Sequence, residues 1–114
     1  MAGSDAAVTG FDIVSLGEPM VEFNQTGASD GRQYLQGFGG DSSNLAIAAA
    51  RQGARVAYAS ALGQDPYGAM LRTLWNAEGV DHAGVKTDAP AFTAVYFVTH
   101  DATGHHFSYF RPGS

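Results

Sequence analysis

The stretch Gly37-Phe38-Gly39-Gly40-Asp41-Ser42-Ser43-Asn44-Leu45-Ala46-Ile47-Ala48-Ala49-Ala50-Arg51-Gln52-Gly53 decides how the chain is read. Its three opening glycines tolerate positive φ and let other groups approach the backbone. Asp41, Ser42 and Ser43 follow, all residues that cap helix N-termini well. An almost wholly apolar, Ala-rich segment then runs to Gly53, a residue suited to the position just past a helix end. The pattern predicts a glycine loop feeding the N-terminus of a buried helix, with Asn44 in its first turn. Two readings fit. The free N–H groups and the positive end of the helix dipole suit an anionic or hydroxyl-rich ligand. Alternatively, the loop only fixes the path of the chain. It is not a Walker A motif, because no Gly-Lys-Ser/Thr follows. It is not a complete G-x-G-x-x-G either, since Ser42 stands at the last position.

Outward from this stretch the chain alternates. Phe11 to Leu16 is a short apolar run with β-branched Ile13 and Val14, predicted as a strand buried on both faces. Glu18-Pro19 interrupts it: Pro19 biases Glu18 to an extended backbone and brings no donor. The Glu18 carboxylate there is either a site group or an edge charge in water. Met20 to Phe23 resumes the strand, Asn24 to Gly31 is a polar turn region, and Gln33 to Phe38 is a short strand entering the glycine loop. Beyond the helix, Arg55 to Leu62 is a second buried strand. Asp65 then caps a helix whose first residue is Pro66. Tyr67, Met70, Leu71, Leu74 and Trp75 form its apolar, core-packing face, and it stops before Gly79. This βαβα order implies a parallel sheet.

The pattern changes after residue 90. Phe92 to His100, the turn Asp101-Ala102-Thr103-Gly104, and His105 to Arg111 form a β-hairpin. Period-two alternation puts Phe92, Ala94, Tyr96 and Val98 on one face of the first strand. It puts His105, Phe107, Tyr109 and Arg111 on one face of the second. A guanidinium beside a phenol can grip a carboxylate or phosphate; a solvated strand end is the plain alternative. Arg51 and Arg55 flank the helix stop at Gly53, Arg72 falls on the polar side of the second helix, and Arg32 and Lys86 fall in polar connections. The four histidines lack the spacing of a metal site, so no metal is expected.

At 114 residues the chain is long enough for one small domain. Its apolar fraction of 45% is that of an ordinary globular protein. A net charge of −5 argues against nucleic acid or an anionic membrane as partner. The absence of cysteine removes disulfide and thiol chemistry and suits a cytoplasmic location. No apolar run reaches the roughly 18 residues of a membrane span. Residues 1–10 have no basic n-region and read as a flexible leader rather than a signal peptide.

From Phe11 to Ser114 the chain resembles the N-terminal part of the ribokinase-like, PfkB-type carbohydrate kinases. The resemblance rests on Gly39-Gly40, Asn44, the Ala46 to Gly53 helix and Gly63-Gln64-Asp65-Pro66-Tyr67-Gly68. Within that family, Gly17-Glu18-Pro19-Met20-Val21-Glu22-Phe23 and Tyr109-Phe110-Arg111-Pro112-Gly113-Ser114 most resemble 2-keto-3-deoxygluconate kinases; ribokinases and adenosine kinases usually carry Asp near the Glu18 position. The resemblance implies an α/β Rossmann-type sandwich over residues 11–114. A small β-lid would come from residues 20–38 and 92–111. It implies ATP and Mg²⁺ as cofactors, a sugar acid phosphorylated on its sixth-carbon hydroxyl, and a homo-oligomer formed through the lid strands. Gly39, Gly40, Asp41, Asn44, Tyr96, Tyr109 and Arg111 match substrate-binding positions. The family's Gly-Ala-Gly-Asp motif, with its general-base Asp, has no match here. No catalytic or cofactor-binding residue is therefore expected in this chain, and alone it should not transfer phosphate. Another sugar such as fructose or ribose, and a non-catalytic sugar-binding or dimerising module, are the alternatives.

Overall fold

A computed structural model describes residues 10–27, 31–88 and 90–112. Apart from Gly10, the expected leader lies outside the described residues. The elements are β1 (Ile13–Leu16), β2 (Met20–Gln25), β3 (Tyr34–Gly39), α1 (Asp41–Arg51), β4 (Val56–Gly63), α2 (Pro66–Glu78), β5 (Asp81–Asp88), β6 (Val95–Asp101) and β7 (Gly104–Phe110). They form two sheets. One is parallel, in the order β1-β4-β5; the other is mixed, in the order β3-β2-β6-β7. In the second, β2 runs antiparallel to β3 and parallel to β6, and β6 and β7 form the expected hairpin. Pro19 sits where the chain leaves the first sheet for the second, so β2 is a strand of its own rather than a continuation of β1.

The glycine loop is built as its sequence suggests, with one difference. Gly40, at φ +96°, stands at the N-cap of α1 and makes no side-chain cap; Asp41 is already helical. The left-handed backbone is what Gly40 contributes, and a Cβ there would also lie 2.6 Å from the Glu18 carbonyl oxygen. At the other end Gly53, at φ +94°, follows the C-cap Gln52. The helix is not buried all round: Ser43 and Ala46 are buried, whereas Asn44 and Leu45 are exposed.

The core lies where α1 and α2 cover the first sheet and the near end of the second. Trp75, Tyr58, Leu71, Val21 and Val56 are fully buried in it. Polar atoms there are paired, as burial requires. The Trp75 indole N–H donates to Ser43 Oγ at 3.0 Å, and Ser42 Oγ and the Tyr58 hydroxyl share a 2.7 Å hydrogen bond. Among the described residues the first sheet is covered on one side only. Ser15 is buried, but Val14 is 59% and Leu16 72% exposed, so β1 is not buried on both faces as its composition suggests. On α2, Leu71 and Trp75 reach the core while Met70 and Tyr67 lie at the exposed edge of the apolar stripe. Strand β5 was not foreseen, and Lys86 therefore lies on a strand rather than in a connection. Arg72, expected on a solvated face, donates to the Val85 carbonyl oxygen at 2.8 Å and Thr87 Oγ1 at 3.1 Å, and its NH1 lies 3.0 Å from His82 Nδ1.

The Gly63-to-Gly68 segment is a structural knot. One oxygen of the Asp65 carboxylate accepts from Gly68 N at 2.8 Å, capping α2, and the other accepts from Thr93 N at 2.8 Å. Gly63 N in turn donates to Thr93 Oγ1 at 3.1 Å. Burial pushes the Asp65 carboxyl up, but these hydrogen bonds outweigh it and hold the group below its ordinary value. Asp65 thereby ties the first sheet's last crossover to the strand that enters the second sheet.

Candidate functional site

A cavity of 520 Å³ opens between the N-terminus of α1 and the second sheet. Gly39, Gly40, Asp41 and Asn44 line it from the glycine loop and the first turn of α1. Tyr96 enters from β6, Tyr109 from β7, and Arg111 from just beyond β7. All seven residues singled out from sequence therefore share one cavity. Four more line it that were not in that set: Glu18, Met20, Ser42 and Phe107. Glu18, which the sequence left as either a site group or an edge charge in water, is one of them. Phe107 was readable from period two, since it shares the face of Tyr109.

The hairpin register explains the aromatic wall. Tyr96 pairs directly with Tyr109, and Val98 with Phe107, so their side chains rise on one side of the sheet. The Tyr96 and Tyr109 rings lie 5.6 Å apart at 30°, and Phe107 lies 6.3 Å from each. Toward β3, the Tyr96 ring occupies the space a Cβ on Gly39 would need. Its hydroxyl donates to Glu22 Oε1 at 2.9 Å. Burial first, and the adjacent Glu22 carboxylate second, raise the Tyr96 phenol well above its ordinary value, so it is protonated at neutral pH.

The charges around the cavity are few. Arg111 Nε donates to Glu18 Oε1 at 2.6 Å, with the two side chains 48% and 35% exposed. A pair this exposed is worth less than about 1 kcal/mol and exchanges partners readily. Asp41 adds a second carboxylate. The cavity thus offers one paired cation, two acids, phenol hydroxyls, the Ser42 hydroxyl and the Asn44 amide, beside the N-terminal end of α1. That donor and acceptor set suits a small polyhydroxylated molecule against an aromatic wall.

The histidines lie away from it. His100 and His105 are cross-strand partners at the far end of the hairpin, with their Nδ1 atoms 2.7 Å apart. His106 turns to the other face and lies 3.0 Å from an Asp101 carboxylate oxygen. Among the described residues, no group of three or more His, Asp or Glu could hold a metal ion.

Among the described residues the site thus lies where a three-stranded parallel sheet with its helices meets a four-stranded mixed sheet over a polar cavity. The chain belongs to the PfkB family of carbohydrate kinases: residues 11–114 match the pfkB family carbohydrate kinase. It is 38% identical over 104 residues to fructokinase-1 of Oryza sativa, covering 87% of this chain and 32% of that protein. Among solved structures it superposes on the fructokinase of Xylella fastidiosa with a TM-score of 0.81 and 34% identity, covering 90% of this chain and 33% of that one. The same enzyme has been solved with bound ATP. Aminoimidazole riboside kinase from Salmonella enterica gives 0.72 at 28% identity, over 86% of this chain and 30% of that one. The ribokinase-like α/β fold is therefore established. The chain spans about a third of the length of the relatives it matches. The first two relatives are fructokinases, and the 2-keto-3-deoxygluconate assignment gains no support from them.

Proposed function

We propose that this chain is the sugar-binding part of an ATP-dependent kinase that phosphorylates a neutral ketohexose, fructose or a close relative, on a terminal hydroxyl. One observation carries the choice of sugar: Arg111, the one cation among the described lining residues, is already bound to Glu18 at 2.6 Å, and Asp41 leaves that lining net acidic. An acidic lining repels a sugar acid and accepts hydrogen bonds from hydroxyls. The fructokinase relatives point the same way. Gly39, Gly40, Asp41, Asn44, Tyr96, Tyr109 and Arg111 are the proposed substrate contacts. The second sheet, residues 20–38 with 92–111, is the proposed lid. Its outer strand β7, exposed along its whole length, is the edge through which a homo-oligomer would form.

A cytoplasmic location belongs to the same reading; among the described residues no helix is long and apolar enough to cross a membrane. ATP and Mg²⁺ enter through the family, and no residue of this chain is assigned to either. A second reading, 2-keto-3-deoxygluconate as substrate, is favoured by the same Arg111 if it leaves Glu18 for the sugar carboxylate.

The test is kcat/KM for fructose and for 2-keto-3-deoxygluconate, with MgATP, in the protein carrying its complete reading frame. We expect fructose to be preferred by at least about tenfold, a difference near 1.4 kcal/mol. Arg111→Ala should weaken both sugars by similar factors. A wild-type preference for the sugar acid that Arg111→Ala abolishes would establish the second reading instead.

A further inference from the structure

Glu22 stands outside the cavity lining, yet it is tied to the residue that forms the cavity's aromatic wall. Glu22 on β2 is the direct partner of Tyr96 on β6 and of Gly37 on β3. The Tyr96 side chain leans back over β2, so that its hydroxyl meets Glu22 Oε1 at 2.9 Å and its ring fills the space above Gly39. Two missing side chains make this possible. A Cβ on Gly39 would overlap the ring, and a Cβ on Gly37 would lie 3.1 Å from Glu22 Oε2. Tyr109, 5.6 Å away, closes the opposite side. The ring is thus held by the Glu22 carboxylate, the space above Gly39 and the Tyr109 ring.

A phenol has one proton and two lone pairs. We infer that Glu22 is a positioning residue that fixes the Tyr96 ring and accepts its hydroxyl hydrogen bond, leaving the Tyr96 oxygen to accept a hydrogen bond from a hydroxyl of the sugar. The inference rests on reading the cavity as the sugar site. A carboxylate acceptor makes this commitment firm, because hydrogen bonds to charged groups are the stronger kind. With the proton spent on Glu22, Tyr96 cannot donate to a substrate carboxylate or ring oxygen, so it selects for a hydroxyl at that point of the sugar. The Glu22–Tyr96 pair would then contribute to substrate choice although Glu22 never touches the substrate.

The experiment is a double-mutant cycle in the protein with its complete reading frame, using fructose and MgATP. Tyr96→Phe and Glu22→Ala should each raise KM roughly two- to tenfold, the range of one hydrogen bond. The double variant should be no worse than either single one. Additive effects, or an unchanged KM in a folded Glu22→Ala protein, would overturn the proposal. A second readout needs no turnover: the phenolate absorbance difference between wild type and Tyr96→Phe. In wild type it should lack a step near the ordinary tyrosine value of about 10. In a Glu22→Gln background, which preserves side-chain size and guards against misfolding, the step should move down toward that value. A wild-type Tyr96 that titrates at the ordinary value would refute the linkage. If fructose is not turned over at all, the reading of the cavity falls, and the absorbance difference still decides whether Glu22 holds Tyr96.

Discussion

At the scale of single residues, the site depends on what glycine leaves out. Gly40 is the most constrained: its φ of +96° is unfavourable for any L side chain, and a Cβ would press on the Glu18 backbone, which cannot step aside as a side chain can. Gly40→Ala should therefore cost about 1–3 kcal/mol of stability, the range of a strained backbone residue. The check is the midpoint of urea unfolding with an unchanged slope; a midpoint within error of wild type would show that the loop relaxes freely. Gly39 differs, because the obstacle there is the Tyr96 side chain rather than backbone. Its replacement would act on the cavity before it acted on the fold. Arg111 and Glu18, 93 positions apart in sequence, meet in an exposed pair that no local pattern could have announced.

At the scale of elements, much of the chain was legible because its punctuation is strong. Asp65, Pro66 and Gly79 bound α2 as their chemistry suggests, with Asp65 capping, Pro66 at the first helical position and Gly79 left-handed at φ +73°. The β6–β7 hairpin was legible from its alternation and turn residues. Strand β5 was not. In Asp81–Asp88 only Val85 is buried, so the strand carries no apolar period, and its identity comes from pairing with β4. The exposed face of β1 was misread for the converse reason: its side chains are apolar whether or not anything covers them.

Asp65 gives the prediction at this scale. Its two carboxylate oxygens serve two backbone donors, Gly68 N and Thr93 N. Asn caps helices as well as Asp does, but it has one acceptor, and its amide N–H₂ would face an N–H. Asp65→Asn should thus cost about 1–3 kcal/mol at neutral pH, the range for an unsatisfied buried donor. The folded value of Asp65 is depressed, so its contribution is present above the ordinary carboxylate value of about 3.9 and is lost as pH falls through the folded value. The gap between wild type and variant should narrow in that acid window. Unfolding midpoints taken from neutral to acid pH check this, and a gap independent of pH would remove the carboxylate from the account.

At the scale of the whole molecule, the chain is flat and long for its size. Its radius of gyration is 16.1 Å, against about 13 Å for a compact domain of this length, and its extents are 58 × 34 × 20 Å. The cause is visible in the layers. Helices α1 and α2 cover one side of the parallel sheet, and the second sheet extends away from it rather than folding over the other side. The uncovered side carries Val14 and Leu16, 59% and 72% exposed, beside the small residues of β4. Apolar side chains side by side on a sheet face form a patch of the kind that binds another surface, and among the described residues β1 adds an unpaired sheet edge next to it. The 114-residue polypeptide expressed alone should therefore self-associate in a concentration-dependent way, read by light scattering behind size-exclusion chromatography. Val14→Lys with Leu16→Lys should reduce that association, because two cations would have to be desolvated to bury the face. Where further sequence covers this face, as the threefold length of the relatives allows, the same pair of lysines should instead destabilise the longer protein. A single monomeric species at every concentration, with one cooperative unfolding transition, would show that the open face is tolerated in water.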